Sequence, residues 1–300
     1  YKSFQLFQNR FSTQNNVRFI KAGVGGTPSE LGMIRFDRDV LREGERPDIV
    51  VIEFAVNDEG DETKGVCYES LVRKVLKLPW KPAVVLLFSV FANDWNLQER
   101  LRPVGDLYDL PMVSIRDAVT PQFSLKCGEG RILSKNQFFY DIFHPNNTGH
   151  TIMADCLQYL FERCDAAEPA RVGTFVEGMT EEQILSEKLS GPAVIGADFE
   201  RIFLLDKKNR YVGAKIRTGS FTSTDIELQS VEMDGSLTQT PEFPYNWMYD
   251  GSRPQMPGFE MEITCKSLFL IFKDSGEMDV GKANVFVNDV YCMTADPHKN

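Results

Sequence analysis

The sequence predicts an α/β protein with a doubly wound parallel sheet in its first half and an antiparallel β-sandwich in its second. Three observations predict it. Up to about Cys164, short apolar runs alternate with helical periodicity, the pattern of strands covered on both faces by crossover helices. Beyond Ser190 the apolar residues alternate with polar ones in short runs punctuated by Gly, Asp and Asn, which favours antiparallel pairing. Between the two textures stands Asp165-Ala-Ala-Glu-Pro-Ala-Arg171, a polar boundary that divides the chain into domains 1–166 and 167–300.

In order, the buried strands of the first half are Val17-Arg-Phe-Ile20, Ile49-Val-Val-Ile52, Ala83-Val-Val-Leu-Leu-Phe88 and Met112-Val-Ser-Ile115. Helical periodicity fills the gaps between them: Pro28 to Leu41, Tyr68 to Leu78 with Leu71, Val72, Val75 and Leu76 on one face, Arg100 to Tyr108, and Thr148 to Phe161. The opening residues, Tyr1-Lys-Ser-Phe-Gln-Leu-Phe7, read as the middle of an amphipathic helix and lack the build of a signal peptide. In the second half the strand candidates are Arg201–Leu205, Tyr211–Ile216, Phe259–Thr264, Leu268–Phe272 and Ala283–Val287.

Composition narrows the partners. The 300 residues carry 33 Lys and Arg against 43 Asp and Glu, a net charge of −10, which opposes binding to nucleic acid or to an anionic membrane surface. No apolar run reaches spanning length, so the expectation is no membrane partner. The six cysteines show neither a CxxC nor zinc-like spacing; they read as unpaired, buried thiols in a reducing, cytoplasmic setting. Nothing in the sequence bears on the oligomeric state.

Three segments carry chemistry. Asp141-Ile-Phe-His144-Pro-Asn146 puts a carboxylate three residues ahead of one of only three histidines. In a turn, that spacing lets the acid hold one imidazole nitrogen while the other faces a nucleophile. Ala22-Gly-Val-Gly-Gly-Thr27 joins a strand to a helix, where backbone N–H groups and the helix N-terminus favour developing negative charge. Glu53-Phe-Ala-Val-Asn57-Asp58 follows the next strand and offers a side-chain amide that can donate to the same charge. Each segment also has a plain structural use: a capped loop, a tight turn and a turn-capping asparagine. His150 reads as structural, packing near the acid and base; His298 reads as solvated. A metal set of Asp141, His144 and His150 is disfavoured for want of further ligands.

Taken in this order, the segments resemble the SGNH or GDSL hydrolases, whose blocks are a Gly-Asp-Ser turn, a glycine, a Gly-x-Asn-Asp and an Asp-x-x-His-Pro. The resemblance implies a flavodoxin-like sheet of the SGNH type. It also implies a Ser-His-Asp mechanism with Asp141 as acid, His144 as base, and Gly26 and Asn57 as oxyanion-hole donors. Gly25 is an alternative to Gly26, because the doubled glycine leaves the register open by one. Ala55 replaces the glycine of the third block. No Gly-Asp-Ser precedes Gly26, and Ser3 and Ser12 are poor substitutes, so the nucleophile is expected upstream of Tyr1.

A looser likeness, in Gly25–Gly32, Pro47–Phe54, Leu110–Ser114 and Gly281–Asn288, is to two-domain bacterial carbohydrate acetylesterases with a jelly-roll, carbohydrate-binding-like second module. It implies removal of O-acetyl groups from mannan or xylan oligosaccharides, with no cofactor and no metal. Two alternatives stay open: a non-catalytic carbohydrate-binding protein on the same scaffold, and a hydrolase of another small acyl ester. Sugar rings stack on aromatic side chains, which makes Trp95, Trp247 and Tyr249 the candidate substrate contacts.

Overall fold

The computed structural model describes every residue except 12–16, 43, 168–177, 228–229, 233–238, 256, 276 and 299–300, and the backbone alone at 230–232 and 239–241. Ser12 and the last four residues of the expected boundary segment lie outside the described residues. The chain forms two compact units, Tyr1–Leu204 and Leu205–Val231 with Gln239–Asn300.

The first unit holds α1 (Lys2–Phe11), α2 (Ser29–Phe36), β1 (Ile49–Glu53), α3 (Val66–Leu76), β2 (Ala83–Phe88), α4 (Gln98–Tyr108), β3 (Met112–Ser114), α5 (Ile115–Ser124), α6 (Lys135–Phe138), α7 (Asn147–Ala166) and α8 (Glu181–Ser190). Its three strands pair in parallel in the order β1-β2-β3, with Ile49 opposite Ala83 and Leu86 opposite Met112. β2 is central and reads as unbroken apolar sequence because both its faces are covered: Val84 to Phe88 are all buried. The predicted face of α3, Leu71, Val72, Val75 and Leu76, is buried as the spacing requires.

On one side of the sheet, Val85, Leu87, Val113, Ile115, Phe138 and Leu157 form a single core with α7. The first turn of α7 passes so close to the Phe138 carbonyl that a Cβ on Gly149 would collide with it, which explains a glycine inside a helix. α1 lies along α7, with Phe7 edge-on to Phe161 at 5.2 Å and Arg10 paired with Glu162 at 2.8 Å.

The expected strand Val17–Ile20 enters no ladder among the described residues; Phe19 instead stacks on Phe4 at 5.4 Å. A strand exists only through its partner. Among the described residues β1 pairs on one edge alone, and its Ile49 and Val51 remain 42% and 44% exposed.

The first unit continues past residue 166 to Leu204, and a buried carboxylate explains why. Glu69, on α3, accepts backbone N–H bonds from Val194 (3.0 Å), Ile195 (2.5 Å) and Gly196 (2.9 Å), together with the Tyr108 hydroxyl. Beside it, Arg73 bonds the Leu189 carbonyl and pairs with Glu200. A long segment is thereby clasped to α3 by groups that composition alone assigns to the surface.

The second unit holds β4 (Lys215–Arg217), β5 (Ser230–Glu232), β6 (Gln239–Pro241), β7 (Glu260–Glu262), β8 (Ala283–Val287) and β9 (Val290–Ala295). β4 pairs with β7 and β8 with β9, both antiparallel, while β5 and β6 make a third two-stranded sheet. The β8–β9 turn uses Asn288 and Asp289 at positive φ, the residue types that tolerate a left-handed hairpin turn.

Antiparallel pairing is as predicted, but a sandwich of two packed sheets is not found among the described residues. Arg201–Leu205 and Leu268–Phe272 are not strands, and Leu268, Leu270, Ile271 and Phe272 stay exposed. Alternation marks a chain able to pair; it does not supply the neighbour. Four of the unit's aromatic side chains, Phe221, Trp247, Tyr249 and Phe259, form a cluster.

The cysteines are unpaired, as read from their spacing, but the expectation of burial holds for Cys67 only; Cys127, Cys164, Cys265 and Cys292 are exposed and Cys156 is half-buried. No helix among the described residues is long and apolar enough to cross a membrane.

Candidate active site

The carboxyl ends of β1 and β2 and the turn before α7 are laced into one rim. Four hydrogen bonds do this. Ser29 N–H, at the start of α2, donates to Asp58 Oδ1 at 2.7 Å; Leu97 N–H donates to the Ala55 carbonyl at 2.8 Å; Ala92 N–H donates to the Ile142 carbonyl at 3.0 Å; and Tyr140 N–H donates to the His144 carbonyl at 3.1 Å. Gly26, Asn57, Trp95 and the Asp141–His144 loop therefore belong to successive turns of the same rim, which is where doubly wound sheets gather ligand-handling groups.

Asp141 and His144 form a dyad. Asp141 Oδ2 lies 2.8 Å from His144 Nδ1, while Oδ1 accepts the backbone N–H groups of Phe143 at 2.7 Å and His144 at 2.6 Å. The hydrogen bond from the His144 ring, aided by those two N–H groups, holds the Asp141 carboxyl below the usual carboxylate range. With a proton on Nδ1 the lone pair sits on Nε2, the atom a nucleophile needs, and no described residue bonds that nitrogen. Tyr140 stacks on the imidazole at 5.5 Å with the ring planes 12° apart, and Phe143 meets it edge-on at 6.2 Å. Asn146 caps α7 through Thr148 N–H and Gly149 N–H, so the loop ends where the helix begins.

Asn57 stands in a turn closed by its own N–H and that of Asp58, both donating to the Phe54 carbonyl. It is half-buried, and its side-chain amide has no partner among the described residues. Burial pushes the Glu53 carboxyl up, against the N–H bonds of Ser89 and Ala55. Burial likewise pushes Asp58 up to about 7, and burial with nearby Asp61 pushes Glu30 up to about 7. Asp58 Oδ2, Ser29 Oγ and Tyr68 Oη are buried without hydrogen-bond partners.

Of the two candidate glycines, Gly26 has a positive φ of 73° and Gly25 does not. No atom lies within 4 Å of where a Cβ would stand on either one. Gly26 thus needs glycine for backbone conformation, and its surroundings are open. Gly32 is glycine for a different reason: α2 packs so tightly on the exit of β1 that a Cβ there would strike the Phe54 ring.

The predicted residues divide between the units. Gly26, Asn57, Trp95, Asp141 and His144 share the rim of the first. Trp247 and Tyr249 are half-buried in the aromatic cluster of the second, 5.1 Å from Phe259 and 6.0 Å from Phe221 respectively. His150 faces α1, where burial and the charges of Lys2 and the N-terminus lower its pKa. His298, expected in solvent, lies 2.8 Å through Nε2 from the Val280 carbonyl. A cavity of about 570 Å³ lined by Ala118, Val119, Ile132, Leu133 and Ile152 also takes in Asn146 and Thr148, where the dyad loop enters α7.

With this geometry in place, solved structures supply a comparison. A two-domain esterase active on acetylated mannans matches with a TM-score of 0.60 at 25% identity, covering 82% of this chain. The same esterase co-crystallized with mannopentaose matches at 0.59 and 25%, over the same 82%. The likeness is thus to an esterase that acts on acetylated carbohydrate. The chain spans 58% of the length of that esterase. A GDSL-like lipase from Bacteroides thetaiotaomicron superposes more loosely, with a TM-score of 0.38 at 20% identity over 54% of this chain and 82% of the lipase. No family model and no curated protein sequence matches the chain.

Sequence reasoning missed the aromatic setting of the dyad. Tyr140, Phe143 and Phe91 surround His144 and Trp95, and the available signal was that Phe143 lies inside the dyad hexapeptide and Phe91 inside the Trp95 loop. The buried carboxylates under Asn57 left no such trace, because burial of Glu53 and Asp58 is a property of the assembled sheet.

Proposed function

We propose that the protein is a serine esterase that removes O-acetyl groups from oligosaccharides of the mannan or xylan type. One observation carries the reading: a hydrogen-bonded Asp141–His144 dyad with its Nε2 unpartnered, on the rim that also holds the unpartnered Asn57 amide. The likeness to an esterase active on acetylated mannans supports the substrate class.

In the proposed reaction a serine hydroxyl attacks the acetyl carbonyl while His144 Nε2 takes its proton, and Asp141 stabilises the imidazolium. Gly26 N–H and the Asn57 amide receive the oxyanion. His144 then returns the proton to the leaving sugar hydroxyl. Water attacks the acetyl-serine, with His144 as base again, and acetate departs. Every proton in the cycle is handled by His144, so no cofactor or metal is invoked.

The nucleophile of this reading is a serine on a strand-to-helix turn, which Ser3, inside α1, is not. Six unpaired cysteines favour a reducing compartment. The second unit is proposed as a β-sandwich of jelly-roll type.

The test uses the full-length protein. Acetate release from acetylated mannan and xylan, together with labelling by a serine-directed fluorophosphonate, supports the reading when both disappear in His144→Gln. Oligosaccharide binding without acetate release or labelling would replace it with a non-catalytic carbohydrate-binding function. Preference for longer acyl esters over acetylated sugars would replace the substrate.

A further inference from the structure

The dyad loop exposes more aromatic surface than its packing requires. Tyr140 is 68% exposed and Phe143 is 49% exposed, although both sit beside the catalytic imidazole. Phe143 meets Phe91 edge-on at 5.1 Å, and Phe91 stacks on Trp95 at 5.7 Å with the planes 20° apart. Four rings thus run outward from His144 across two loops joined by the Ala92–Ile142 hydrogen bond. Contiguous exposed apolar surface on a water-soluble unit marks a contact site, whereas a single exposed ring would not.

Two further facts decide what the surface contacts. A general acid must lie within hydrogen-bond reach of the oxygen it protonates, so whatever stands beside His144 is the alcohol half of the ester. The acyl half faces the Asn57 amide. The strip also has a polar border: Lys135 Nζ pairs with Asp94 at 2.9 Å, and Asn93 Oδ1 accepts Trp95 N–H at 3.2 Å. Flat apolar faces bordered by hydrogen-bonding groups suit a pyranose ring, which offers C–H bonds on its face and hydroxyls around its edge. An acyl chain has nothing to give Asp94 and Lys135, and covering them would cost their hydration.

We infer that Tyr140, Phe143, Phe91 and Trp95 form a sugar-binding platform that holds the ring bearing the ester, with Asp94 and Lys135 recognising its hydroxyls. The inference rests on the esterase reading and deepens it by assigning the leaving-group subsite to the dyad loop and its neighbour.

Its test compares kcat/KM on acetylated mannobiose with kcat/KM on 4-nitrophenyl acetate, in the wild type, Phe143→Ala, Trp95→Ala and Trp95→Phe. The platform predicts that each alanine variant lowers the ratio of the two values about tenfold, mainly through KM, and that Trp95→Phe recovers most of it. An unaltered ratio overturns the inference, as does an equal fall on both substrates. A shift in preference between acetate and butyrate aryl esters also overturns it, by giving the strip to the acyl group. If the wild type hydrolyses no ester, the esterase reading fails, and calorimetry with unacetylated mannopentaose still decides the platform: weaker binding in the alanine variants upholds it, equal or absent binding rejects it. Thermal melts check folding, and Phe143→Leu replaces Phe143→Ala if the latter does not fold.

Discussion

The two sides of the candidate site are held in opposite ways. The Asp141–His144 loop is exposed, and its carboxylate is secured by bonds within three residues, with one distant backbone link from Ala92 N–H to the Ile142 carbonyl. The Asn57 turn is secured from beneath by Glu53 and Asp58, whose partners Ser89 and Ser29 lie 36 and 29 residues away. A local, solvated arrangement keeps its carboxylate ionised, while a distant, buried one pushes its carboxyls up toward neutrality. The same residue type, aspartate, serves as a permanent charge at position 141 and as a titrating one at position 58. Environment alone separates them.

If the dyad is local and exposed, its loss should remove activity and leave stability alone. His144→Ala is expected to lower turnover by at least about 10⁴-fold, ~5.5 kcal/mol, while the unfolding free energy moves by no more than about 0.5 kcal/mol. Paired kinetics and denaturant titration check this, and a large loss of stability would show that the loop is not self-contained.

The Glu69 clasp offers the opposite limit. Glu69→Ala leaves three backbone N–H groups and the Tyr108 hydroxyl without their acceptor, which should cost about 3–5 kcal/mol of stability. Hydrogen exchange should then open residues 189–200 first; retained protection there would mean the segment is held by something else.

Asn57→Ala should fall between the two kinds, with a barrier increase of about 2.7–4 kcal/mol and a minor change in melting temperature. Turnover near that of the wild type would take Asn57 out of the site.

The smallest effect concerns Asp58. An acid whose folded pKa is raised binds its proton more tightly in the folded state, so its stabilising contribution is complete below the ordinary carboxylate range. That contribution is lost as the pH rises to about 7. The wild type should therefore lose stability between about pH 4 and 7, and Asp58→Asn should remove at least about 1 kcal/mol of that loss while its amide oxygen still accepts Ser29 N–H. Glu30, also pushed up to about 7, retains the remainder of the slope. Identical pH profiles for the two proteins would mean that Asp58 is not buried with an ionisable proton.

Legibility followed the range of the interactions. The runs Ile49–Ile52 and Ala83–Phe88 were readable as strands because both faces of a covered sheet are apolar, and α3 was readable from its 3.6-residue stripe. The Asp141–His144 spacing was readable because three residues suffice to close that turn. Val17–Ile20 and Leu268–Phe272 have the composition of strands yet are not strands, since a ladder needs a second chain segment that the run itself does not contain. The placement of Trp95 near the dyad and of Trp247 in an aromatic cluster could not be told apart in sequence, where both are tryptophans in polar loops.

By itself, then, the sequence determined the alternation of the first half, the acid–base pair and its spacing, and the glycine turn with its register open between Gly25 and Gly26, all of which depend on residues a few positions apart. Only the tertiary structure decided that residues 189–200 belong to the first unit, that aromatic rings border His144, and that carboxyls beneath Asn57 are pushed up toward neutral pH. Those outcomes depend on which segments exclude water from one another, and exclusion of water is a property of the packed chain.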